Sequence, residues 1–374
     1  MAGRALRRLT IVQLLPALHS GGVERSTLEI AAALVAAGHR SVVISAGGRL
    51  ERPLADGGSE HIRLDIGRKS LRAFATMRRL RAQLAELRPD IVHARSRLPA
   101  WLGWLALRGL PAPRPHFVTT VHGMNSPGRY SGIMRRGERV ICVSDTVREY
   151  VLRHWPDTDP ARLTVVPRGI DPAEFPRGVP ASLAWQENFA AELPELQGGR
   201  LLLLPGRGTR LKGHADALRL LAALRATGED ARLWLLGARE PGRERYVAEL
   251  EQLAGALGVR AVTAISPPRA DVREAYAVAD LVLQLSNKPE AFGRTVLEAL
   301  SVGRPVLGWD HGGVGELLRS LYPVGAVPLG DLEALTGAAH ALLAAPPPMP
   351  VTIPHTLAAM QSATLELYER LAAD

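Results

Sequence analysis

Two series of short apolar runs divide the chain, each run entering a helical pattern through a brief loop. The first series comprises Leu9–Leu15, Ser41–Ser45, Asp90–Ala94, Phe117–Gly123, Arg139–Ser144 and Leu163–Arg168. The second comprises Leu201–Leu204, Arg232–Leu236, Ala261–Ile265, Leu281–Leu285 and Pro305–Gly308. Runs that are continuously apolar are buried on both faces, as in parallel sheets, and strand–helix alternation predicts a doubly wound α/β sheet in each half. The region from about Pro172 to Gly199 is rich in Pro, Gly and Glu and reads as an interdomain linker. The expected division is an N-terminal domain over 1–172, a linker over 173–199, a C-terminal domain over 200–350 and a terminal segment over 351–374. That last segment follows the break Pro346–Pro350 and is expected to carry a helix over Thr356–Ala373, packed back on the N-terminal domain.

Chemistry gathers at the strand-to-helix loops. Glu290 and Glu298 stand eight positions apart, one in the loop after Leu281–Leu285 and one inside the helix that follows, with Gly293 in a turn between them. Such a junction aims backbone N–H groups over the strand's C-terminal edge, where they suit a phosphate. Only three lysines occur, Lys69, Lys212 and Lys288, among 46 basic residues. Lys212 shares the loop Gly206–Gly213 with Arg207, and an Arg fork with a Lys point charge there can share a diphosphate. In the first half, Gly21 and Gly22 lie before a helix expected from about Ser26 to Ala37. They read either as a tight turn or as a place of close ligand approach. His122 ends a strand before Gly123, either as a satisfied core histidine or as a ligand contact.

Several function classes fall away. The loops match neither the three-glycine dinucleotide fingerprint nor a Walker A loop, and no Gly-x-Ser-x-Gly elbow appears. No Asp-x-Asp pair suggests metal–diphosphate binding, and no Cys/His cluster suggests zinc. The single cysteine, Cys142, sits in an apolar run and reads as a buried thiol. No stretch reaches the roughly 20 apolar residues of a membrane span, and Leu9–Leu15 reads as a strand rather than a leader, so a cytoplasmic location is expected. A net charge of +9 favours an anionic partner, yet no nucleic-acid motif is present. A basic amphipathic helix is expected over Arg68–Arg88, with Leu71, Phe74, Met77, Leu80, Leu84 and Leu87 as its apolar stripe. It packs on the sheet or lies on a membrane surface. The mixture of Arg95, Arg97, Trp101, Trp104 and Arg108 suits a membrane interface, a sugar acceptor or a partly buried helix.

Taken in order, Gly21-Gly22-Val23-Glu24, Thr120-Val121-His122-Gly123, Val165-Val166-Pro167-Arg168-Gly169-Ile170-Asp171, Gly206-Arg207 with Lys212-Gly213, and the Glu290/Glu298 pair cover nearly the whole chain. Together they resemble the retaining GT-B glycosyltransferases of family 4. Arg168 departs from the pattern, which more often carries Asn there. Pro205-Gly206-Arg207 followed later by Gly308 to Glu316 is similar to a subgroup that builds the lipopolysaccharide core in Gram-negative bacteria. The resemblance implies two Rossmann-like domains facing across a cleft. It implies transfer of a hexose, UDP-linked, from a nucleotide-sugar to a glycan or glycolipid acceptor at the cell envelope, with retention and with no metal or other cofactor. Arg207 and Lys212 would hold the donor diphosphate and stabilise the leaving group. Glu298 would accept from the ribose hydroxyls and Glu290 from the donor sugar. The N–H groups of Gly293, Arg294 and Thr295 would meet sugar or phosphate oxygens, Gly21 and Gly22 would close on the diphosphate, His122 would contact the donor sugar, and Ile265 would flank the base. Peripheral contact with the inner membrane's cytoplasmic face is a further expectation, and the alternatives are a sugar-nucleotide epimerase on the same fold or a glycosyltransferase acting on another polysaccharide or a small-molecule acceptor.

Overall fold

The computed structural model describes residues 7–19, 21–68 and 73–373. They form two compact units, Met1–Arg168 with Leu357–Asp374, and Gly169–Thr356. The first is built on seven strands: β1 (Thr10–Leu14), β2 (Arg40–Ser45), β3 (Glu60–Arg63), β4 (Ile91–Ala94), β5 (His116–Val121), β6 (Arg139–Cys142) and β7 (Leu163–Val165). Their order is β3-β2-β1-β4-β5-β6-β7, every neighbour parallel. The second unit holds β8 (Arg200–Pro205), β9 (Ala231–Leu236), β10 (Thr263–Ser266), β11 (Leu281–Gln284), β12 (Val306–Trp309) and β13 (Ala326–Val327), in the order β10-β9-β8-β11-β12-β13. It too is parallel throughout.

Strand order reverses between β1 and β4 in one sheet and between β8 and β11 in the other. In open α/β sheets, ligands bind outside the strands' C-terminal ends at such switch points. The loops leaving β1 and β4 carry Gly21, Gly22 and Arg95. Those leaving β8 and β11 carry Arg207, Lys212 and Glu290. The chain therefore places its candidate residues where this topology opens a crevice in each sheet.

The helix Leu357–Ala373 completes the first unit. Its Met360, Leu367, Tyr368 and Leu371 join Ile11, Ile30, Leu34, Val118 and Ile141 in one buried cluster. Each fully buried aliphatic side chain of this kind contributes about 1.5–3 kcal/mol.

The region expected as a linker, 173–199, instead carries structure of the second unit. Ser182 caps the helix Leu183–Glu192, accepting from Trp185 N at 3.3 Å. Phe189 stacks on Trp185 at 5.1 Å and tilts against Trp234 at 5.0 Å. Pro and Gly flank the helix and mask its aromatic anchors in a reading of composition. The edge strand β3 was also not expected, because Glu-His-Ile-Arg contains no apolar run. The helix Gly22–Ala36 starts four residues before the expected Ser26, using Gly21 as its cap. The basic helix spans Ala73–Leu87, burying Met77, Leu80 and Leu84. Lys69 and Leu71 lie outside the described residues. Trp101 and Trp104 sit half-buried on the helix Arg97–Arg108. Trp101 donates to the Tyr130 carbonyl at 3.0 Å, and the guanidiniums of Arg108 and Arg136 lie 4.7 and 5.3 Å from the Trp104 ring.

Candidate functional site

In the second unit the loop after β8 turns back on itself before the helix His214–Ala226. Gly213 makes that turn in a left-handed conformation at φ 74°, and a Cβ there would lie 1.8 Å from the Leu285 carbonyl oxygen. Only glycine brings the loop this close to the end of β11. Lys212 is thereby set beside the second loop, where its Nζ donates to Glu290 Oε1 at 2.7 Å. Ser286 Oγ donates to the same oxygen. Lys212 and Glu290 are each about one-quarter exposed (25% and 26%), so the pair is reachable from solvent. Arg207 is exposed and makes no side-chain hydrogen bond among the described residues, so the structure does not bring it onto Lys212 or Glu290. Lys288 is likewise exposed.

The peptide at Glu290 is held from behind. Gly313 N donates to Glu290 O at 2.7 Å. A Cβ at Gly312 would stand 2.8 Å from that carbonyl, and one at Gly313 would stand 2.6 Å from Phe292 Cα. His311 Nε2 reaches the Ser286 carbonyl at 2.6 Å. The glycine run 312–315 is therefore a buttress for the Glu290 loop. The helix Arg294–Val302 starts at the buried Gly293, and its first-turn N–H groups, which include those of Arg294 and Thr295, lie at the sheet's C-terminal edge. Glu298 lies one turn further in and is buried; its Oε2 accepts from the Tyr276 hydroxyl at 2.8 Å and its Oε1 lies 3.8 Å from Arg294 Nε. Glu290 and Glu298 thus occupy different environments, one at the loop's lysine and one among helix neighbours. Ile265 lies half-buried near the end of β10, its carbonyl accepting from Arg239 Nε at 3.0 Å.

In the first unit, Gly21 has φ 142° and Gly22 has nothing within 4 Å of where a Cβ would stand. Internal packing does not require glycine at position 22, so open space remains above it. His122 follows β5. Arg168 Nη2 donates to its Nδ1, so the ring proton resides on Nε2. Burial, then the charges of Arg168 and Arg95, hold His122 neutral, its pKa well below the ordinary 6.5. Beneath it, His93 contacts Tyr368 OH at 2.5 Å through Nδ1 and Thr120 Oγ1 at 2.6 Å through Nε2. Burial first, then Arg95 and Arg168, keep this ring neutral also.

Sequence reasoning missed the supports Gln284, Ser286 and Tyr276, and the cluster of His93, Arg95 and Tyr368. A signal was present in Val92-His93-Ala94-Arg95, where polar side chains interrupt the end of an apolar strand.

Two parallel doubly wound sheets, each with chemistry at its switch point, define the GT-B class of glycosyltransferases. Residues 20–174 match Glycosyltransferase Family 4, and residues 186–346 match Glycosyl transferases group 1; the chain belongs to this family. It is 27% identical over 325 residues to the D-inositol 3-phosphate glycosyltransferase of Kineococcus radiotolerans, covering 81% of this chain and 72% of the other. Against the enzyme of the same name from Salinispora tropica the match is 27% over 252 residues and spans about half (52%) of that relative's length. Among solved structures, a glycosyltransferase from Rickettsia africae superposes with a TM-score of 0.82 at 24% identity, covering 97% of this chain and 98% of that one. Anabaena HepE, solved in complex with UDP and glucose, gives 0.76 at 19% identity, with 97% and 100% covered. WaaG, a glycosyltransferase involved in lipopolysaccharide biosynthesis, gives 0.68 at 21%, with 97% and 95% covered.

Proposed function

We propose that this glycosyltransferase moves a hexose from a UDP-sugar to a glycan or glycolipid acceptor of the cell envelope, with retention of anomeric configuration and without a metal. The observation that carries the donor assignment is the Lys212–Glu290 pair at the mouth of the Gly206–Gly213 loop, with Arg207 exposed on the same loop. Lys212 and Arg207 would take the diphosphate and stabilise the charge that grows on it as the glycosidic bond breaks. Glu290, released from Lys212, would accept from hydroxyls of the donor sugar. Gly293, Arg294 and Thr295 would offer N–H groups to sugar or phosphate oxygens, Glu298 would meet the ribose, and Ile265 would flank the base. Gly21 and Gly22 would approach the diphosphate, and His122 would offer its Nε2 proton to the sugar. The departing phosphate would assist loss of the acceptor hydroxyl's proton, so that catalysis is mainly positioning and electrostatics. HepE's complexes with UDP and with UDP-glucose favour UDP as the carrier. WaaG and the resemblance of Gly308 to Glu316 favour a lipopolysaccharide-core acceptor. The work would take place in the cytoplasm, at the inner membrane's face; no helix among the described residues is long and apolar enough to cross a membrane.

A thermal-shift panel of UDP-, GDP- and ADP-sugars tests the donor. A shift by UDP-sugars alone is expected, and no shift by any nucleotide-sugar would overturn the reading. The anomeric configuration of the product and transfer in excess EDTA test retention and metal independence.

A further inference from the structure

The first unit holds a cavity of about 510 Å³ at the edge of its sheet where the strands begin. Residues 88–90, which lead into β4, and residues 110–116, which lead into β5, line it. Gly22, Arg95 and His122 stand past the opposite ends of the strands. The four residues of β4, a rise of about 13 Å, separate the cavity from the switch point. Its apolar wall includes Leu84, Leu110, Pro111 and Pro113, and its charged side chains are Arg7, Arg88, Arg114 and a single carboxylate, Asp90. Both oxygens of Asp90 are engaged, Oδ1 accepting from Arg7 Nη2 at 2.5 Å and Oδ2 from Thr10 N at 2.7 Å. His116, also on the wall, is bonded through Nδ1 to Glu138 at 2.8 Å. Arg88 and Arg114 are exposed and make no ion pair among the described residues. Arg114 Nε donates to the Leu110 carbonyl at 2.9 Å, which leaves its terminal nitrogens to face a ligand.

A solvated surface arginine would explain either residue alone, but Arg88 carries a second signal. It follows the helix Ala73–Leu87 at φ 45°, the only non-glycine residue with positive φ among the described residues. Its N–H donates to the Leu84 carbonyl at 3.1 Å, a helix-ending turn that favours glycine because an L side chain crowds its own backbone there. Ending the helix does not require an arginine, yet this position keeps a strained backbone and a guanidinium on the cavity wall. Two guanidiniums without a counter-charge attract an oxyanion, which their forked donors match. The volume falls in the range of small-molecule pockets, about 300–1,000 Å³, and leaves room beside the anion for an apolar body against the leucines and prolines. We propose that this cavity binds a small organic anion, a phosphate or carboxylate borne on an apolar or aromatic body, at a site separate from the transfer chemistry. Its existence does not depend on which donor or acceptor the enzyme uses.

Isothermal titration calorimetry of the full chain would compare phenyl phosphate and benzoate with inorganic phosphate, which lacks the body, and benzyl alcohol, which lacks the charge. At least one aromatic anion should bind tenfold or more tightly than either control. Arg88→Gly and Arg114→Gln should each weaken that binding tenfold or more, while Lys212→Ala leaves it unchanged. Glycine accepts the left-handed backbone, so Arg88→Gly should melt at or above the wild-type temperature, and its loss of binding is then not a loss of fold. No binding of either aromatic anion overturns the proposal, as does binding that benzyl alcohol matches or that either arginine variant retains in full. Inorganic phosphate binding as tightly as the aromatic anions overturns the assignment to an organic ligand. Binding lost in Lys212→Ala puts the anion in the donor loops and overturns a separate site. Binding to phosphatidylglycerol vesicles with neither soluble anion bound overturns the small-molecule site in favour of a lipid surface.

Discussion

The two switch points are built from the same topology and use charge in opposite ways. In the second unit the cation and carboxylate stand at the surface, bonded to each other and reachable by a ligand. In the first unit the cations are buried, set among hydroxyl, amide and neutral imidazole groups. An exposed pair contributes about 0–1 kcal/mol to stability, so its charges are available for exchange with a ligand. A buried network is committed to the fold as well as to any ligand, and each loss there is felt by both.

The sharpest way to break this contrast is to truncate one residue on each side. Tyr368→Ala removes a buried aromatic and the His93 contact, and should cost the first unit about 3–5 kcal/mol, read by urea denaturation. Lys212→Ala or Glu290→Ala should lower transfer by about 10²–10³-fold while the melting temperature stays near wild type. Full activity in both would remove Lys212 and Glu290 from the site.

Glycines extend the same comparison at a smaller scale. Gly213→Ala meets both a left-handed backbone and a carbonyl oxygen at 1.8 Å, and should lower the melting temperature and transfer together. Gly22→Ala meets nothing, so it should leave the melting temperature unchanged and lower transfer only. A Gly22→Ala enzyme of full activity would show that no ligand approaches there.

Acid offers a gentler test. His93 and His122 stay neutral in the folded first unit, whereas in the unfolded chain histidines take up protons below about pH 6.5. Folded-state stability is therefore whole above that pH and falls as pH drops below it. In the second unit His214, lowered to about 4 chiefly by burial, gives the same sign over the window from 6.5 to about 4. Hydrogen exchange at pH 7 and pH 5 should show more protection lost in the first unit, where burial depresses His61, His93 and His122, than in the second, where it depresses His214 and His355. The smallest effect is expected at Cys142, whose thiol burial pushes up to about 12; iodoacetamide at pH 8 should leave it unmodified in the native protein.

Much of the fold was legible because the central strands are dominated by apolar runs, as Leu201–Leu204 illustrates. The strand β3 escaped because an edge strand need not be apolar, and the helix Leu183–Glu192 escaped because its burial depends on three aromatics, one of them 45 residues away at Trp234. At the site, Lys212 and Glu290 could be singled out by rarity and spacing, but their direct bond could not, since 78 residues separate them. The glycine run 312–315 was visible as a turn, while its work as a backing for Glu290 depends on the packing of two loops. Arg95 was read within a mixture suited to a membrane interface, a sugar acceptor or a partly buried helix, and Arg168 as a departure from pattern, because burial of an arginine is a tertiary fact with no local signature.

The helix Leu357–Ala373 lays its apolar face into a unit whose remaining strands all precede residue 169. During synthesis the Gly169–Thr356 unit is therefore complete before that helix emerges. The first sheet must wait, with Ile11, Ile30 and Ile141 uncovered and His93 lacking its tyrosine, until an entire second fold has been translated. Nascent chains halted before residue 357 should show a protease-resistant later half beside a cleavable earlier one, and the buried arginines would settle only once the ribosome has passed Tyr368.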